Sequence, residues 1–102
     1  MKTNKQEILK RYSSEIERIK RLIMKHQKFG GSLDIVYGCP LSYEDDFVIQ
    51  YLEVKENTVY LYDVEWNKMS LLDAMVKYGA EETISSITFA IRNYEDWLKD
   101  PR

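Results

Sequence analysis

Residues 47–66 read FVIQYLEVKENTVYLYDVEW, and the fold turns on how this stretch doubles back. Two runs rich in β-branched and aromatic residues, 47–54 and 58–66, flank the polar Lys55-Glu56-Asn57, the composition of strand, turn and strand. If Glu56-Asn57 is a two-residue turn, Tyr51 lies opposite Tyr62, Leu52 opposite Leu61 and Glu53 opposite Tyr60. One face of the hairpin then carries Phe47, Ile49, Tyr51 and Glu53 against Trp66, Val64, Tyr62 and Tyr60. The other carries Val48, Gln50, Leu52 and Val54 against Glu65, Asp63, Leu61 and Val59. The first face is nearly all aromatic and β-branched, so it is the expected core. The pairing depends on loop length, because one added residue reverses the parity, and Glu56-Asn57 lacks the glycine that the tightest turns favour.

Upstream, the spacing predicts one long helix over residues 4–29. Thr3-x-x-Gln6 and Asn4-x-x-Glu7 have capping-box spacing, and Ile8, Tyr12, Ile16, Ile19, Ile23 and His26 recur at three- and four-residue steps. Leu9, Leu22 and Phe29 widen this stripe, Gly30-Gly31 supplies a stop, and Glu7 to Arg11 and Glu17 to Arg21 are favourable i,i+4 pairs. Residues 32–37 alternate as a first strand, and residues 38–46 form a loop punctuated by Gly38 and Pro40 and ending in Glu44-Asp45-Asp46. Downstream, Ser70-x-x-Asp73 starts a helix that buries Leu71, Leu72, Met75 and Val76 and that Gly79 ends or bends. A last helix over 81–99 buries Ile84, Ile87, Ile91, Tyr94 and Leu98, with Phe89 and Trp97 on its flank, and Asp100-Pro101 closes it.

The predicted fold is therefore α+β: a three-stranded antiparallel meander with a long N-terminal helix and two C-terminal helices, order α-β-β-β-α-α. Its 102 residues make one domain, with the basic amphipathic helix in 1–31, the sheet in 32–66 and the C-terminal helices in 67–102. Apolar residues at 44% and charged residues at 31% suit a soluble globular chain. No apolar run reaches the ~20 residues of a membrane helix, no leader with an apolar segment is read, and the single Cys39 can form no internal disulfide. A cytoplasmic location is the expectation.

The net charge of −2 hides a separation of sign. Residues 1–29 carry nine Lys or Arg against three acids, whereas residues 30–102 carry six against fourteen. A basic helix is joined to an acidic body.

Catalytic patterns are sparse. His26 is the only histidine and Cys39 the only partner for a Cys-His pair, with no third residue at a spacing that would orient them. Glu44-Asp45-Asp46 lacks the alternating ligands and glycine of a calcium loop and reads as solvated charge rather than a metal site. No glycine-rich phosphate loop, nucleophile elbow or cofactor motif is present, so the expectation is a protein that is not an enzyme and needs no cofactor.

The segment 71–92 has helix, glycine, helix spacing, yet its second helix opens on Glu81-Glu82 and offers only Arg92 as a base, a poor reader of the DNA major groove. Thirteen aromatic residues, eight of them Tyr, exceed what a small core absorbs, and Tyr is favoured at interfaces. The leading expectation is a small protein-binding module, such as an inhibitor, an immunity-type protein or an accessory protein of a phage or mobile element. It would contact another protein, or a second copy of itself, through Glu44, Asp45, Asp46, Asp63 and Glu65. The alternative is a nucleic-acid-binding regulatory module using Lys10, Arg11, Arg18, Arg21, Lys25 and Lys28. A second alternative is a small enzyme or ligand-binding domain around Cys39 and His26.

Overall fold

The computed structural model describes residues 4–28, 33–40 and 47–99, with side chains from 27 to 40 left out of the description. Helices α1 (Lys5–Arg11) and α2 (Ser13–Lys28) precede strands β1 (Leu33–Pro40), β2 (Val48–Lys55), β3 (Thr58–Tyr62) and β4 (Lys68–Ser70). Helices α3 (Leu71–Tyr78) and α4 (Ala80–Lys99) complete the chain. The strands form an antiparallel meander in the order β1-β2-β3-β4, so the expected three-stranded sheet gains a three-residue fourth strand and the domain is α+β. Among the described residues no helix is long and apolar enough to cross a membrane.

The hairpin turn is the one expected. Tyr51 pairs with Tyr62, Leu52 with Leu61, Glu53 with Tyr60, Val54 with Val59 and Lys55 with Thr58. Glu56 and Asn57 take φ of 52° and 64°, the left-handed pair that a two-residue hairpin turn needs. That conformation costs a non-glycine residue about 1–2 kcal/mol. Part of the compensation comes from α2, where Lys20, buried on the helix, donates to the Asn57 side-chain oxygen at 3.2 Å and to Glu17 at 3.0 Å. Glu17 thus pairs with Lys20 rather than with Arg21.

Which face of the hairpin is core differs from the expectation. Leu52, Val59 and Leu61 are buried, whereas Tyr51, Glu53, Tyr60 and Tyr62 are only half-buried. The aliphatic face near the turn points inward because Ile16, Ile19 and Ile23 of α2, Leu71 and Met75 of α3 and Ile87 and Ile91 of α4 join it in one cluster. Branched aliphatic side chains interdigitate with these helices, while a tyrosine face keeps its hydroxyls near water. At the open end the expectation holds for Phe47 and Ile49, which are buried, and fails for Val64 and Trp66 expected opposite them, which are exposed. The switch occurs at Gln50, where four residues of β1 stand against one of β2 between the pairs Asp34 with Tyr51 and Cys39 with Ile49. Such an irregularity adds twist and re-aims side chains.

Other boundaries shift for local reasons. The N-terminal helix bends at Tyr12 (φ −115°, ψ 20°), so that Ile8 of α1 packs toward α3 while α2 lies on the sheet. Ser13 and Ser14 follow the bend, residue types whose hydroxyls compete with the helical backbone. Asn4 caps α1 by accepting from the Glu7 N–H at 2.8 Å, and Ser70 caps α3 by accepting from the Asp73 N–H at 3.1 Å. Strand β1 runs on through Gly38, Cys39 and Pro40, which were expected in the loop, because Cys39 and Pro40 pair with Ile49 and Val48. Gly79 separates α3 from α4: its φ of 100° reverses the chain while its N–H still caps Met75. On α4, Thr83 and Ala90 join the core and Leu98 is exposed.

The face assignment is open to a direct check. Leu52→Ala and Leu61→Ala should each lower unfolding stability by about 2–5 kcal/mol in urea titrations. Tyr51→Thr, which puts a strand-favouring β-branched residue on the outward face, should cost less than about 1.5 kcal/mol. The reverse order would place the tyrosines in the core.

Candidate functional site: an aromatic platform on the open sheet face

The sheet face turned away from the helices carries a triangle of rings. Tyr51 and Tyr62, cross-strand partners on β2 and β3, meet at 5.5 Å between centroids with their planes 67° apart. Trp66 closes the triangle at 5.8 Å from Tyr51 and 5.9 Å from Tyr62. Tilted and edge-to-face contacts at these distances are favourable for aromatic quadrupoles. Beside them Lys68 of β4 places its ammonium 4.1 Å from the centre of the Tyr60 ring.

Trp66 reaches this position through a loop, not through the strand. The expected β3 would have carried Val64 and Trp66 opposite Ile49 and Phe47, but β3 ends at Tyr62. Asp63 turns the chain away from the ladder. One of its carboxylate oxygens accepts from the Glu65 and Asn67 N–H groups, each at 2.9 Å, and the other accepts from the Asn67 side-chain amide at 2.9 Å. The Trp66 N–H donates to the Asp63 carbonyl and the Asp63 N–H to that of Asn67. Side-chain bonds of this kind are what make Asp and Asn turn residues. They hold the Asp63 carboxyl below the usual carboxylate range, the Asn67 side-chain bond contributing most.

Within this loop Trp66 has φ 65°. A bulky side chain rarely takes the left-handed region, and the strain is of order 1–3 kcal/mol, carried here by the surrounding hydrogen bonds. The reward is not burial, since Trp66 remains 67% exposed and Val64 66%. The fold holds a strained tryptophan out to solvent against two tyrosine rings.

A carboxylate is built into the same platform. The Tyr62 hydroxyl donates to Glu53 at 2.7 Å. Partial burial, then the bond to Glu53 and the repulsion a phenolate would feel beside that carboxylate, push the Tyr62 pKa up to about 12.

The residues singled out in sequence fare unequally. Glu44, Asp45 and Asp46 lie outside the described residues. Glu65 is exposed beside Trp66, whereas the carboxylate of Asp63 is committed to building the loop. The basic residues do not converge on the platform. Arg18 turns toward α4 and donates to the Thr88 hydroxyl at 3.2 Å, while Arg21 and Lys25 point outward from α2. Lys10 and Arg11 are exposed on α1, beyond the bend, and Lys28 ends α2 with its side chain outside the description. Arg11 also borders an open groove of about 710 Å³ between α1 and the α3–α4 corner. His26 has a carboxylate partner that spacing did not suggest: its Nε2 lies 3.2 Å from Glu95, with Tyr94 edge-on at 5.1 Å. Cys39 lies on β1, and its side chain is outside the description. Among the described residues no three His, Cys, Asp or Glu side chains are grouped to hold a metal ion.

Comparison with protein-family models, with curated proteins and with solved structures finds no match to this chain.

Two measurements probe the platform. Absorbance titration near 295 nm should show one tyrosine ionising near pH 12, and Tyr62→Phe should remove that step. Because the raised pKa favours the folded state, its stabilising effect is full below pH 10 and is lost as pH rises from 10 toward 12. Asp63→Ala should free the loop, lowering Trp66 fluorescence anisotropy and near-ultraviolet circular dichroism while far-ultraviolet signals persist. An unchanged tryptophan signal would contradict this role for Asp63.

Proposed function

We propose that this protein is a non-catalytic protein-binding module whose contact surface is the open sheet face centred on Trp66. The observation that carries this reading is the display of Trp66 at positive φ, two-thirds exposed, in a loop organised by Asp63. Backbone strain concentrates at functional positions, and rigid exposed Trp and Tyr side chains are favoured anchors of protein interfaces. Glu65 and Glu53 supply a polar rim around the rings.

The alternative of nucleic-acid binding needs stacking rings and phosphate-binding cations in one groove. Here the cation beside the rings is Lys68, drawn over Tyr60, with the Glu53 carboxylate also at the rings, while Arg21 and Lys25 project from the helical layer. A module that acts by occupying a partner's surface is what an inhibitor or immunity-type accessory protein requires. The single cysteine agrees with a reducing, cytoplasmic setting.

The test uses a photo-cross-linking amino acid at Val64, which is exposed next to the platform. In cells of the native host, the full chain should form a discrete protein adduct that Trp66→Gly abolishes. Glycine accepts positive φ without strain, so this variant removes the ring while keeping the loop, and thermal melting should remain cooperative. Adducts that persist in Trp66→Gly, or binding only to nucleic acid with a steep salt dependence lost in Arg21→Glu/Lys25→Glu, would falsify the proposal.

A further inference from the structure

Building on the reading of Trp66 as a protein-contact surface, we infer that the partner presents a basic peptide segment, whose arginine or lysine head group stacks on the Trp66 ring and pairs with Glu65. The platform is small: its three ring centres lie within 5.9 Å of one another, which suits one anchoring side chain and its neighbours better than a broad flat interface. The rings also pack against each other too closely to admit a group between them, so the anchor lies over the exposed Trp66 surface.

The chemistry of that anchor follows from charge. Aromatic faces are electron-rich and attract cations, tryptophan most strongly. This sheet face already hosts one such contact, Lys68 over Tyr60 at 4.1 Å, on the strand that pairs with β3. That cation is the protein's own, while Trp66 exposes most of its surface and its neighbour in the loop, Glu65, is exposed as well. Glu53 and Asp63 add two more carboxylates around the rings, the first held against Tyr62 and the second kept ionised by its loop hydrogen bonds. An acidic segment would meet these carboxylates head-on, and a purely apolar one would desolvate the exposed Glu65 without offering it a donor. Arginine fits best, because its planar guanidinium can stack on indole and pair with a carboxylate at once.

The test is selection of random linear peptides, displayed on phage, against the immobilised full chain with counter-selection on Trp66→Gly. Trp66-dependent peptides should be enriched in Arg and Lys. A synthetic copy of the best peptide should lose at least about tenfold in affinity when its arginine is replaced by the isosteric, uncharged citrulline, since the cationic attraction to the indole and the charge pairing are lost together. Glu65→Gln should weaken the parent peptide several-fold and flatten the salt dependence of its binding. Enrichment of acidic or uncharged peptides, equal binding of the citrulline copy, or absence of any Trp66-dependent peptide would each overturn the inference. If the Val64 adduct still depends on Trp66 in those cases, the protein-contact reading stands and only the cationic anchor falls.

Discussion

The open face of this protein depends on the two-residue turn at Glu56-Asn57. Side chains alternate along a strand, so the turn that pairs Leu52 with Leu61 also pairs Tyr51 with Tyr62 on the opposite surface. A single inserted residue would scramble both sets. The turn is not an easy one, since it places two non-glycine residues at positive φ, and it is tied to α2 by the bond from Lys20 to Asn57. A buried lysine is costly unless its charge is met, and here the Glu17 carboxylate and the Asn57 amide oxygen meet it.

From that pairing comes a sheet with two dissimilar apolar faces. The inner one is aliphatic and closes against three helices, and Thr83 seals the corner between α3 and α4 by donating its buried hydroxyl to the Ala74 carbonyl. The outer one is aromatic and half-wet, and ring contacts and the bond from Tyr62 to Glu53 stabilise it laterally. An uncovered aliphatic face would be an aggregation liability, whereas tyrosine and tryptophan combine apolar area with polar edges. The charge separation follows the same layering. Several of the cations of residues 1–29 project from the helices, and the carboxylates near Trp66 lie on the sheet side.

The His26–Glu95 pair joins α2 to α4 across 69 residues of sequence. Tyr94 packs edge-on to the histidine and Trp97 continues the ring contacts along α4. With Arg18 to Thr88, it makes the α2–α4 seam polar on its outer side and apolar within. These contacts account for His26 as a partner of the helix pair.

Local physics wrote much of this fold directly into the sequence. The hairpin register, the Ser70 cap and the apolar stripes of α2 and α4 were legible because each follows from residues within a few positions of one another. Asn4 over Thr3 as the cap and a break over a bend at Gly79 were decided by the structure. The Trp66 loop had a local signal in Asp63 and Asn67, masked by the β-rich run Thr58 to Tyr62 that precedes it. The bend at Tyr12 had only the weak local signal of Ser13-Ser14, and two features had none: the pairing of His26 with Glu95 and the choice of buried face. Period-two alternation separates a strand's side chains into two sets but does not say which set is covered when both are apolar. Only the helices, bringing Ile16, Ile19, Ile23, Met75, Ile87 and Ile91 to one side, decided that the leucines go in and the aromatic rings stay out. The reason is close packing across distant segments, a property of the assembled layers and not of any one stretch of chain.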